Sequence, residues 1–235
     1  MRINLISDLH SEFEPYCHPK VDADVLVVAG DHGNQFNYCV GKNDNHYKEH
    51  IVLAGNHDYY DNIISKFDIP NIPKPQKIYE IDDYVFVACT LWTNFWGEKL
   101  GRYDREIFAG IKGSLNDFHY IKGMTLPKMM ELFKSDLQFI KDNVKKYKDK
   151  KVVICTHFAP SKKAIAKQYE GDSLNKYFVN DLDNFILKNK NIKAWLFGHT
   201  HSSLDFMIGD CRCVCNPKGY GNENPDFDPC KIIEI

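Results

Sequence analysis

Two spacings in the sequence suit metal chemistry. Asp8 and His10 stand two residues apart, as do His199 and His201. At the end of an extended segment, residues so spaced project to one side and can hold a single ion. Asp31 adds a carboxylate able to bridge two cations, Asn56 a neutral amide oxygen and His157 a further imidazole. This mixture of nitrogen and oxygen donors suits Mn2+, Fe or Zn2+. Gly30, Gly55 and Gly198 each immediately precede one of these residues, where a missing side chain lets the backbone turn sharply and come close to an ion.

Each cluster follows a β-rich run, over residues 2–7, 24–29, 50–54, 151–155 and 193–197. Strand followed by polar loop, five times over, is the pattern of an α/β sheet, whose ligands bind beyond the carboxyl ends of strands. Between the runs, 126–146 carries Met129, Met130, Phe133, Leu137, Ile140 and Val144 at close to a 3.6-residue period and predicts a helix. A second helix is predicted over 174–187. Residues 77–81 and 84–91 predict a hairpin through Asp82-Asp83, and 203–208 with 211–215 another around Gly209-Asp210, with a last strand over 231–235. Residues 69–75 form a rigid Pro-containing connector. Residues 92–125 have aromatics, glycines and charges but no clean period, which predicts a long functional loop with one short helix.

A chain of 235 residues, 43% hydrophobic, is long enough to bury a sizeable core. Lysine and arginine total 30 against 32 acidic residues, for a formal net charge of −2, so nucleic-acid binding through bulk charge is disfavoured. Mean hydropathy is −0.43, and no apolar run approaches the roughly 20 residues of a membrane helix. The opening MRINLISDLH has no signal-peptide core, so the expectation is a cytoplasmic chain with free thiols. Cys211, Cys213 and Cys215 alternate along one strand face and read as small buried side chains, with metal binding as the alternative. His18, His46, His50 and His119 read as structural or solvated. Lys145, Lys146, Lys148, Lys150 and Lys151 read as a solvated helix end.

The blocks DLH, GD, GNHD, TH and GHTH occur in that order, and together they resemble the calcineurin-like metallophosphoesterases. Blocks this short are individually weak; five in order, each after a predicted strand, are a strong signal. The resemblance implies one domain over residues 1–235 with a four-layer αββα sandwich of two mixed sheets flanked by helices. It also implies two divalent metal ions, Mn2+ first, with Fe, Zn2+ or Ni2+ as alternatives. Asp8, His10, Asp31 and His201 would hold one ion, and Asp31, Asn56, His157 and His199 the other. LWTNF, LNDF, HFAPS and CNPKGY further resemble a small single-domain bacterial and phage subgroup. That subgroup often has Asp where Asn94 stands, a second His at Phe158 and an apolar residue at His32; Asn34 keeps the usual polar position.

The implied reaction is hydrolysis of a phosphomonoester or phosphodiester by a metal-bound hydroxide, on a small phosphorylated or nucleotide-type substrate. His57, next to Asn56, is the expected general acid, and Asp58 is expected to orient it. His32, Asn94, Trp96, Asn116, Asp117 and Tyr220 are the substrate-side candidates. Residues 92–125, with Tyr220, are expected to wall the substrate cleft, and Trp92, Phe95 and Tyr103 either line it or cover a core edge. A nuclease, a protein phosphatase and a non-catalytic scaffold on the same fold are the alternatives. Intact ligand positions and His57 favour the enzyme.

Overall fold

The central strand runs, such as Val25–Ala29, Tyr84–Cys89 and Lys151–Thr156, are apolar on both faces, which requires cover on both sides. The computed structural model, which describes residues 1–33, 46–64, 72–97, 109–110 and 112–235, supplies that cover by stacking two sheets. Asn34, Tyr103, residues 69–71 of the connector and residues 98–108 lie outside the described residues. One sheet has the order β10-β1-β2-β3 and the other β4-β5-β6-β7-β9-β8. The first is built from β1 (Arg2–Ile6), β2 (Val25–Ala29), β3 (Glu49–Leu53) and β10 (Ile232–Glu234). The second is built from β4 (Gln76–Ile81), β5 (Tyr84–Cys89), β6 (Lys151–Thr156), β7 (Ile192–Phe197), β8 (Leu204–Ile208) and β9 (Cys211–Cys215). β1–β2–β3 run parallel, as do β5–β6–β7–β9, and β10, β4 and β8 pair antiparallel at the edges. These are the two mixed sheets of the expected sandwich.

Alternation sets the layers. Leu5, Val25, Val27 and Leu53 of the smaller sheet meet Phe86, Val153, Cys155 and Leu196 of the larger in one apolar cluster. The opposite face of the larger sheet, with Val85, Val87, Ile154 and Trp195, packs on Met129, Phe133, Ile140 and Val144. These four lie on the helix Leu126–Lys146, whose start is capped by the Thr125 side chain accepting from Lys128 N–H. Cys211, Cys213 and Cys215 join this layer as buried free thiols, in keeping with their packing role. His18 and His46 are structural, hydrogen-bonded to Asn4 and to the Val21 carbonyl.

The predicted helix over 174–187 is broken in two, Asn175–Phe178 and Asp183–Lys188. Val179 is extended and bridges Ala159, Asn180 N–H donates to the Ala159 carbonyl (2.8 Å), and Asn180 Nδ2 donates to the Trp92 carbonyl (3.1 Å). Backbone pairing with a distant loop therefore overrides the local period.

One buried carboxyl ties the helix to the loops beyond the strands. Asp136 accepts from Leu91 N–H (2.9 Å) and from Gln76 Nε2 (2.9 Å). The neighbouring Thr90 carbonyl receives both His157 N–H and Phe158 N–H (3.1 Å each). Burial, only partly offset by these donors, pushes the Asp136 pKa up to about 7. The folded state then holds this proton more tightly than the unfolded chain, so stability falls as pH rises from about 4 to 7. Asp136→Asn should remove that dependence. In urea unfolding, the stability difference between variant and wild type should move in the variant's favour from pH 5 to pH 8, by at most about 1.4 kcal/mol per pH unit inside the window.

Candidate metal centre

Asp8 and His10 follow β1, Asp31 follows β2, Asn56 and His57 follow β3, His157 follows β6, and His199 and His201 follow β7. All sit beyond carboxyl ends of parallel strands, on both sheets. Asp8, His10, Asp31, His199 and His201 have φ of 51°, 45°, 49°, 70° and 47°. For residues with a Cβ this left-handed region is strained, of order 1 kcal/mol or more each, and Asp and His are among the types that enter it most readily. The strained loops are fastened across the two sheets. His199 N–H donates to both oxygens of Asp8 (2.9 and 3.1 Å) and His157 Nδ1 faces the Ala29 carbonyl (2.9 Å), while within the larger sheet Gly198 N–H donates to the His157 carbonyl (3.0 Å). There is no room for more atoms. A Cβ on Gly30 would overlap the His157 ring, one on Gly55 would overlap Asp31, and one on Gly198 would lie 2.6 Å from Asp8 Oδ2.

Three donor groups result among the described residues: Asp8 with His10 and His201, Asp31 with His157 and His199, and His10 with Glu12 and His57, the last sharing His10 with the first. His10 Nε2 and His201 Nε2 face each other at 3.1 Å, and His157 Nε2 and His199 Nδ1 at 3.2 Å. Asn56 Oδ1 lies 3.0 Å from His157 Nε2. Asp31 Oδ2 stands between the first two groups, 3.9 Å from His10 Nε2 and 3.3 Å from His157 Nε2. The outer nitrogens are occupied: His10 Nδ1 by Glu12 Oε1 (3.1 Å), His201 Nδ1 by Glu223 Oε2 (2.6 Å) and His157 Nδ1 by Ala29 O. Rings whose N–H is used on the far side turn lone pairs inward. Opposed lone pairs beside carboxylates demand a cation between them, so these residues fit divalent metal ions, with outer carboxylates of the kind that fix metal-binding histidines.

Charge and burial perturb several of these groups. Burial draws the His157 and His201 imidazoles down, but Asp31 and Asp8 raise His157 to about 9, and Asp8 and Glu223 raise His201 to about 10. Burial and the neighbouring His157 hold His199 well below its usual value. Burial works against ionisation of Asp31, but His157 and His57 outweigh it and keep its pKa well below the carboxylate range.

The residues around the donors differ in part from the sequence expectation. Asp58 does not touch His57. Its oxygens accept from Gly33 N–H (3.0 Å) and Gly55 N–H (2.8 Å) and pair with His32 Nδ1 (2.9 Å), which pins the loop after β2 to the loop after β3. Residues 57–59 form a single 3-10 turn, so neighbours in sequence point apart. Asp117 is buried and accepts from Asn56 Nδ2 (2.9 Å), Tyr60 hydroxyl (3.1 Å) and Tyr177 hydroxyl (2.6 Å). It therefore orients the Asn56 amide, leaving Oδ1 to face the donors. Glu12 and Glu223 escaped the sequence analysis. Glu12 is brought to His10 by the turn that follows it, and Glu223 to His201 by the fold.

The sequence profile described as calcineurin-like phosphoesterase matches residues 1–203. The chain belongs to the calcineurin-like phosphoesterase family. An uncharacterized protein of Acanthamoeba polyphaga mimivirus is 29% identical over 283 aligned residues, covering 100% of this chain and 97% of that one. In structure, the chain resembles a phosphopantetheinyl hydrolase from Mycobacterium tuberculosis (TM-score 0.66, 14% identity, 94% of this chain and 90% of that one). It also resembles a dimetal phosphatase from Danio rerio (TM-score 0.54, 9% identity, 91% and 86%). Among the described residues, no helix is long and apolar enough to cross a membrane.

A cleft of about 370 Å3 opens beside these donors. Of the substrate-side candidates, Asn116 and Tyr220 line it. Asn94 caps a turn through Trp96 N–H (3.0 Å), and Trp96 donates to the Val179 carbonyl (2.8 Å) under Lys162. Trp92 and Phe95 are buried in the helix-side core, so these aromatics cover a core edge. Ala164, Ile165, Leu174 and Phe178 form much of the wall instead, and residues 114–116 are what the 92–125 segment contributes among the described residues.

Because His157 and His201 hold protons at neutral pH without metal, metal binding should release protons. Calorimetric titration with Mn2+ or Zn2+ in buffers of different ionisation enthalpy should show that release, and affinity should fall between pH 8 and pH 6. Binding without proton release would mean that the inward nitrogens are not the ligands.

Proposed function

We propose that the chain hydrolyses phosphate esters with two divalent cations, Mn2+ first among them, as a single catalytic domain to which both sheets contribute. The observation carrying this reading is the pair of donor groups with Asp31 between them. Asp8, His10, Asp31 and His201 would hold one ion, and Asp31, Asn56, His157 and His199 the other. Bound there, the ions would neutralise phosphoryl oxygens and lower the pKa of a water molecule. Similarity in fold to a phosphopantetheinyl hydrolase and a dimetal phosphatase supports the reaction class.

In the reaction a bond forms from water oxygen to phosphorus, the bond from phosphorus to the leaving oxygen breaks, and that oxygen takes up a proton. In this reading His57 gives it. Its N–H donates to Asp31 Oδ1 (2.9 Å), its ring stacks on Tyr60 (4.2 Å between centroids), its Nδ1 faces Glu12 Oε1 (3.3 Å) and its Nε2 faces the Tyr220 hydroxyl (3.0 Å). Burial lowers the affinity of His57 for a proton, but Asp31 and Glu12 outweigh it and raise the pKa. Glu12 thus takes the orienting part expected of Asp58. It is held to about 2 by His10 and His57 against the cost of its burial, so it stays an acceptor.

His57→Ala should keep the metal content found by elemental analysis and lose activity by about 100-fold or more on an alkyl ester. The loss should shrink on a p-nitrophenyl ester, whose leaving oxygen needs less protonation. Equal losses on both would mean that His57 positions the phosphate without protonating the leaving group.

A further inference from the structure

A phosphomonoester has one organic arm and needs one hollow beside the reacting phosphorus. This site has two. The larger is the cleft of about 370 Å3, and the smaller, of about 210 Å3, lies between His10, Phe13, Lys218, Gly219 and Gly221. Tyr220 lines both and stands between them, its ring 4.3 Å from that of His10. Resting on the phosphoesterase reading above, we infer that the site is built for a phosphodiester with its arms on opposite sides of the donors, one an uncharged ring packed against Phe13.

Phe13 is 70% exposed and Tyr220 42%. A single exposed aromatic is ordinary, but these two are in edge contact (5.6 Å, 78°), and Phe13 also lies 6.3 Å from the His10 ring. They end a continuous line of rings, Phe13–Tyr220–His10–His57–Tyr60–Tyr120, with successive centroids 5.6, 4.3, 4.5, 4.2 and 5.3 Å apart. Aromatic platforms beside a phosphate site stack the rings of nucleoside-like groups without reading their sequence. Gly221 lines the smaller hollow in the left-handed region that favours glycine, with a φ of +53°. The lysine of this hollow is spent, since Lys218 Nζ is paired with Glu14 Oε2 at 3.0 Å. A neutral ring suits such a surface better than a second phosphate. Hydrolysis would form the bond from water oxygen to phosphorus and break one ester bond, giving a monoester and an alcohol whose oxygen receives the proton from His57.

The test uses Mn2+-loaded protein with bis(p-nitrophenyl) phosphate, methyl p-nitrophenyl phosphate and p-nitrophenyl phosphate. Phe13→Ala should lower kcat/KM about tenfold on the first, mainly through KM, at the low end of what one stacked ring supplies. It should change the other two by less than about twofold, and Phe13→Tyr should restore the loss. Independently of turnover, calorimetry should show Phe13→Ala weakening diphenyl phosphate about tenfold while leaving monophenyl phosphate unchanged. Equal effects on all three esters, or none, with diphenyl phosphate binding unchanged, would overturn the two-arm inference and leave the hydrolase reading standing. If no ester is hydrolysed but diphenyl phosphate still binds through Phe13, the hydrolase reading fails and the two-arm site stands.

Discussion

Opposed lone pairs are the constraint on which the structure turns. His10 and His201 point ring nitrogens at one another, as do His157 and His199, with Asp8 and Asp31 beside them. Without a cation this is one of the least favourable arrangements a protein interior can hold, since burial weakens the solvent screening that would otherwise relieve it. The metal-free chain answers with protons, on His157 and His201. A divalent ion answers with more charge and fixed direction. Most of what surrounds the site serves to keep these groups from turning away: Glu12 and Glu223 behind the imidazoles, Asp117 behind the Asn56 amide, and Asp58 between the glycine loops.

The two sheets are therefore joined in different ways along their depth. In the middle they meet through apolar side chains, which tolerate small shifts. At the carboxyl ends of the strands they meet through directional bonds, Asp8 to the His199 N–H and His157 to the Ala29 carbonyl. Sliding one sheet over the other would disturb the middle slightly and break the end at once. Asp136 carries the same fixing outward, since it anchors Leu91 and so the Thr90 carbonyl that holds His157.

What was legible in the sequence was what is local. Strand runs buried on both faces, the 3.6-residue period of Leu126–Lys146 and the donor clusters at strand ends are all written within a few residues. Asn116 and Tyr220 were found by resemblance and do face the cleft. The broken helix before Asp183 was not legible, because its break is set by Ala159 and Trp92, far away in the chain. The same holds for Glu223 behind His201 and Asp117 behind Asn56. Asp58 shows the reverse error, in which adjacency to His57 in sequence was taken for adjacency in space. Glu12 was no more legible, since a turn after His10, and not strand alternation, brings its carboxylate back to the ring.

The left-handed backbone at five of the donor positions also bears on how the chain can change over generations. A substitution to glycine at His10, His199 or His201 would relax the local turn and relieve part of the charge crowding, whereas at Asp8 or Asp31 it would also remove the acceptors of the His199 and His57 N–H groups, so at the histidine positions steps that make the molecule harder to unfold are steps that remove a donor. Selection on thermal endurance alone would push this fold toward an inert relative with the same two sheets. Loss of donor histidines is thus the downhill direction for the lineage, and their retention is something that only continued use can maintain.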